Sequence, residues 1–175
     1  MKEKHQSISY CRVNAHWQNG RAEKRIRDLE EGGRKQLLHA KSRWSRVITL
    51  HLCPYALRMV NQLHNNIVNY KSKESPLERF CRVKVERNLN KSHTFGCPVY
   101  VFHNTLQGGK YIPKWNPRSR LAVNLGPSPN HTRSVSLILN LITGLVSPQF
   151  YINHDEFFET VRPEATNETT SSLWQ

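Results

Sequence analysis

HWQNGRAEKRIRDL, residues 16–29, sets a loop containing one glycine ahead of a strongly basic helix whose first turn carries a single carboxylate, Glu23. Asn19 stands where an N-cap belongs. Ala22, Ile26 and Leu29 recur at helical spacing, and Leu37 and Leu38 resume the apolar stripe beyond Gly32 and Gly33. A glycine inside a helix costs up to about 1 kcal/mol relative to alanine, so this pair is expected to bend the helix or end it early. Upstream, ISYCRVN at 8–14 alternates as a short strand does, leading into the loop at 16–20.

Glu23 lies at the positive end of the helix dipole, which favours its ionised form and hence metal ligation. The plainer reading is a first-turn glutamate that merely complements the dipole. Metal-assisted phosphoryl transfer needs carboxylates that hold divalent ions against the scissile phosphate, and one carboxylate cannot hold two metals alone. The chain's only aspartates are Asp28, on the same helix, and Asp155, and no acid precedes Glu23 except Glu3.

Pro54 opens a second amphipathic segment, in which Ala56, Met59, Val60, Leu63 and Ile67 share one face that should pack on the first helix. Ser75 caps a short turn or helix, PLERF, with Pro76 in its first position. Beyond Lys91 the period changes. CPVYVFH, RLAVNLG, SVSLILNLITG and LVSPQFYI are short apolar or alternating runs separated by Gly, Pro and Asn, the pattern of a small β unit. ITG between two such runs predicts a tight hairpin, and Gly108 with Gly109 another turn. About five short strands over this length fit a small barrel. The tail, 162–175, has no periodicity and many small polar residues, as disordered segments do. The expected class is therefore α+β, with a mainly helical part at 1–91, a β-barrel at 92–161 and a disordered tail at 162–175.

Charge divides the chain at the same place. Residues 1–91 hold 20 of the 26 Lys and Arg and 8 of the 13 acids, a net +12, whereas residues 92–175 are at +1. Cations interspersed along the first helix and its continuation (Arg21, Lys24, Arg25, Arg27, Arg34, Lys35, Lys41, Arg43, Arg46) suit a phosphate backbone by counterion release. A solvated helix face is the plainer explanation. Residues 1–91 are expected to bind nucleic acid more tightly than 92–175. Lys110, Lys114, Trp115, Arg118 and Arg120 form the basic and aromatic cluster of the second part, hence its candidate contact loop, unless Trp115 simply plugs the barrel.

The four cysteines, at 11, 53, 81 and 97, contain no CxxC pair and no zinc or disulfide spacing, so they read as reduced, mostly buried thiols. The nine histidines are scattered and read as structural. No apolar run approaches the ~18 residues that span a bilayer, and KEKHQ after Met1 is not a signal core. The expectation is an intracellular protein, nuclear or cytoplasmic, with no membrane partner.

The order of loop, QNG, two residues, glutamate and basic helix resembles the end of the integrase catalytic domain of copia-type retrotransposons. The resemblance continues through HLCPYALRMVNQLHNN, SPLERF, HTFGCPVYVF, IPKWNPRSRL and TGLVSPQFYINHDEFFETV in the family's order, and covers residues 10–161. It implies the end of a ribonuclease H-like core followed by an SH3-like domain. Glu23 matches the last acid of an Asp, Asp, Glu triad that shares Mg2+ with two upstream aspartates, in an enzyme that integrates DNA. Neither aspartate precedes Glu23 here, so the resemblance is to a fragment, inactive alone and not expected to bind Mg2+ tightly. Gln18 and Asn19 would sit in the loop beside the DNA end, with Arg21, Lys24, Arg25, Arg27, Lys35, Lys114 and Arg118 on nucleic acid, DNA or RNA. Further partners would be a second copy or the missing half of the integrase. Two other classes stay open: a domesticated nucleic-acid-binding module and a non-functional relic.

Overall fold

The basic helix runs unbroken through its glycine pair. In the computed structural model, which describes residues 19–85, 92–132 and 134–161, helix α1 (Gly20–Lys41) is 22 residues long and unbroken. The expected early end is corrected, and the reason is the partner helix, α2 (Cys53–Asn66). A Cβ on Gly32 would stand 2.8 Å from Val60 Cγ1, and one on Gly33 would stand 2.9 Å from Leu57 Cδ2. Here glycine lets two helices approach closely, and the packing gained offsets its poor helix propensity. The expected strand at 8–14 and tail at 162–175 lie outside the described residues.

Pro54 occupies the first turn of α2, and Ala56 and Met59 are its buried residues. The helix ends at Asn66, so Ile67 becomes the C-cap, 64% exposed rather than part of the packed face. Helix α3 (Pro76–Cys81) begins with a complete capping box. The Glu78 amide donates to Ser75 Oγ at 3.2 Å, while the Glu78 carboxylate accepts from the amides of Ser75 at 2.9 Å and Val85 at 3.2 Å. Glu78 is buried because these donors replace the water it loses.

The second part is an antiparallel sheet of β1 (Pro98–Phe102), β2 (Ser119–Pro127), β3 (Ser136–Asn140), β4 (Val146–Gln149) and β5 (Ile152–His154), in the order β4-β3-β2-β1-β5. The run LVSPQFYI is thus two strands, broken at Phe150 and Tyr151, and they lie on opposite edges. Consecutive Cα atoms are 3.8 Å apart, so the two-residue link spans at most ~11 Å. A flat sheet would hold its outer strands about 19 Å apart at 4.7–4.9 Å per strand. The sheet is therefore strongly curled, with an open seam between β4 and β5. The ITG segment forms the β3–β4 hairpin, with Gly144 at φ +68° and its amide bonded to the Asn140 carbonyl at 2.9 Å. The short helix α4 (Asn104–Gln107) and Gly109, at φ +72°, make the other expected turn.

Alternation gives the sheet two apolar faces. Val99, Val101, Ala122 and Ile138, with Ile152, fill one side. On the other, Val123, Leu125 and Leu139 join Ala40, Trp44, Ile48, Leu52, Ala56, Met59 and Phe95 in a core shared with the helices. Trp44 Nε1 donates to the Gly96 carbonyl at 2.8 Å. Gly96 is at φ +78°, and a Cβ there would lie 2.4 Å from Ala40 Cβ. Buried Asn124 ties this junction together: its Nδ2 donates to the Thr94 carbonyl at 2.9 Å and its Oδ1 accepts from the Gly126 amide at 3.1 Å.

Cys97 is buried, and burial pushes its thiol up to about 12. Cys53 is half-buried, but Cys81 is exposed, which corrects the expectation of buried thiols at that position; Cys11 lies outside the described residues.

Candidate nucleic-acid interface

Two surfaces carry the cations singled out in the sequence. Along α1, whose N-cap is Asn19, residues Arg21, Lys24, Arg27, Arg34, Lys35 and Lys41 are all exposed, while Gly33 and Ala40 are buried against the rest of the protein. At 100° per residue the six cations span the side of the helix opposite that buried line. Arg25 lies apart from them, half-buried, with Nη2 donating to Asn61 Oδ1 at 3.1 Å. It braces α1 on α2. Gln18 lies outside the described residues.

The acids of α1 are spaced to serve the helix. Glu23, Glu30 and Glu31 each precede a cation by four residues, Arg27, Arg34 and Lys35, in the orientation that stabilises a helix. The last pair closes at 2.6 Å. Its hydrogen bond and charge hold the Glu31 carboxyl below the usual carboxylate range.

Glu23 is exposed in the first turn. The next acid on the helix, Asp28, lies about 140° away around the axis at 3.6 residues per turn, so the two cannot converge on one ion. No group of three His, Cys, Asp or Glu side chains among the described residues is placed to hold a metal ion. This donor set does not fit a two-metal site. No helix among the described residues is long and apolar enough to cross a membrane.

The second surface is the connection between β1 and β2. Its base is closed by the His103 amide on the Arg118 carbonyl at 2.9 Å, and internal bonds run from the Lys110 amide to the Thr105 carbonyl at 3.0 Å and from the Asn116 amide to the Pro113 carbonyl at 3.0 Å. Gln107 Nε2 adds a bond to the Phe102 carbonyl at 2.8 Å. On this loop Trp115 is 90% exposed, so it does not plug the interior of the β unit. Lys114 Nζ lies 5.6 Å from the centroid of its ring, a cation–π contact. Tyr111, missed in the sequence reading, is 85% exposed on the same loop. Its signal was its place in KYIPKW, flanked by the cations already noted.

A third cluster left no sequence signal. His93 and His154 stack with ring centroids 3.5 Å apart, and His93 Nδ1 pairs with Glu156 Oε1. His154 Nε2 is buried without a hydrogen-bond partner. Burial, then the neighbouring His93, lowers His154 to about 4. The stacked rings are 61 residues apart in sequence, and the β1–β5 pairing sets His154 opposite Val99, six residues past His93.

No family model, curated protein or solved structure matches the chain.

Proposed function

We propose that this chain is a nucleic-acid-binding part of a copia-type integrase, joining the end of a ribonuclease H-like core to an SH3-like β unit. The observation that carries the reading is the row of exposed cations on α1, opposite the line packed into the core. A phosphate backbone releases counterions along such a row, which makes binding strong at low salt and weak at high salt. The family resemblance of residues 10–161 supplies the integrase part of the reading. The curled five-strand sheet, in the order β4-β3-β2-β1-β5, suits a small SH3-like barrel. Glu23 keeps the position of the last catalytic acid, but the described carboxylates do not converge, so the chain alone binds without joining strands.

The test is a salt titration of the whole chain on a duplex oligonucleotide. Affinity should fall with log salt at a slope of roughly −0.9 per phosphate neutralised. A flat profile overturns the reading. A pure binding module uses the same surfaces. Supplying a polypeptide that carries the two upstream aspartates the resemblance implies separates the two: Mg2+-dependent strand transfer that is abolished by Glu23→Gln supports the integrase part, and transfer that survives it removes Glu23 from the role.

A further inference from the structure

We infer that the β1–β2 loop is a stacking platform for unpaired nucleobases, so that its ligand is single-stranded nucleic acid. The inference rests on the nucleic-acid reading above and narrows the substrate class. Trp115 and Tyr111 are 90% and 85% exposed, among the most exposed large side chains described. Leaving two aromatics in water forgoes the burial that stabilises most such rings. The loop that carries both rings is closed at its base, and each arm holds local backbone hydrogen bonds.

The charge around them names the partner. Lys110, Lys114 and Arg118 are exposed on this loop, Arg120 follows half-buried in β2, and the sequence contains no Asp or Glu between Glu86 and Asp155. Lys114 already lies over the face of Trp115, so the cation and the π surface are presented together. A protein or lipid partner would use the rings for burial, whereas rings interleaved with unopposed cations match a polymer of alternating bases and phosphates. A duplex keeps its base faces stacked on one another and offers only phosphates and groove edges. An unpaired strand offers a π face at every nucleotide, and aromatic side chains use it without reading sequence.

The whole chain is titrated with fluorescein-labelled oligothymidylate of 20 nucleotides and with a 20-base-pair duplex, as wild type, Trp115→Ala, Trp115→Phe and Tyr111→Ala. Because Trp115 and Tyr111 are exposed, unchanged melting checks that the variants fold. Trp115→Ala should weaken oligothymidylate binding about tenfold, within the range that one stacked base contributes. Duplex affinity should stay within about twofold, and Trp115→Phe should recover part of the loss. Equal loss on both ligands overturns the platform and makes the loop a backbone contact. No loss on either, with wild-type binding intact, also overturns it and leaves the α1 reading standing. Failure of the wild type to bind any oligonucleotide overturns both.

Discussion

The helical part and the β unit carry positive charge in opposite ways. Helix α1 has seven Lys and Arg but also four acids, three of them set four residues before a cation. In the β unit, cations are sparse, yet no carboxylate stands between Glu86 and Asp155. Net charge by segment therefore ranks the helices first, while the loop between β1 and β2 is the place where cations stand beside exposed rings without opposing acids. The net positive charge of the helical part favours long-range attraction to a polyanion. Sparse unopposed charge beside Trp115 favours a specific contact.

The comparison is broken most sharply by uncoupling the two regions. Trp44 belongs to the helical part, yet it lies in the shared core and donates to the Gly96 carbonyl of the β unit. Trp44→Ala should cost about 3–5 kcal/mol, since it leaves a large cavity and an unmet carbonyl. Urea unfolding of the wild type should show one transition by fluorescence and circular dichroism. The variant should show a lower midpoint, with the two probes separating. A variant that keeps the wild-type midpoint would show that the regions do not depend on each other. Because the core is shared, charge is better tested in the whole chain than in separated segments.

Charge variants sharpen the contrast next. Arg21→Gln, Lys24→Gln and Arg27→Gln together should lower duplex affinity at least tenfold at low salt. They should also make the slope of log affinity against log salt shallower, by up to roughly 0.9 for each phosphate that is no longer neutralised. Lys110→Gln with Arg120→Gln should change the duplex slope by less. Fluorescence anisotropy at several salt concentrations measures both, and equal slopes for the two sets would erase the difference between the regions.

Much of this fold was legible in the residues. Periodicity located α1, α2 and the strands, and Ser75 with Pro76 announced the cap and first turn of α3, although the part of Glu78 in a capping box was not read. What was hidden depends on partners distant in sequence. Gly32 and Gly33 read as breakers because only Val60 and Leu57 explain them. LVSPQFYI was read as a single run among about five expected strands, and its break at Phe150 and Tyr151 follows from the curl of the sheet, which no local pattern records. The exposure of Trp115 was equally hidden, since an aromatic between prolines reads the same as a plug or a platform. The cations of α1 were legible as a set, but Arg25 was grouped with the exposed ones and instead braces Asn61.

Acid should reveal the junction of His93 and His154. The folded pKa of His154, about 4, lies below its ordinary 6.5 because burial and His93 disfavour its charge. Between those values the unfolded chain binds more protons than the folded one, so stability is complete above pH ~6.5 and falls as pH drops toward 4. His154→Leu should lose less thermal stability than the wild type between pH 7 and pH 4.5. A wild type and variant with parallel pH profiles would remove His154 as the cause.

The smallest effect tests how closely α1 and α2 meet. Alanine is the better helix former by about 1 kcal/mol at either glycine, so propensity alone predicts that both Gly32→Ala and Gly33→Ala stabilise. Packing predicts that they differ. At Gly33 the new Cβ meets Leu57 Cδ2 at 2.9 Å, the far end of a flexible side chain that can rotate away, and the substitution should be near neutral. At Gly32 it meets Val60 Cγ1 at 2.8 Å and Cγ2 at 3.2 Å. A β-branched side chain on a helix has one strongly preferred χ1 and cannot yield without moving its backbone. Gly32→Ala should therefore destabilise by about 1 kcal/mol net, as overpacking outweighs the gain in propensity. Two stabilised variants would mean that the helices have room to separate and that their close approach does not explain the glycine pair.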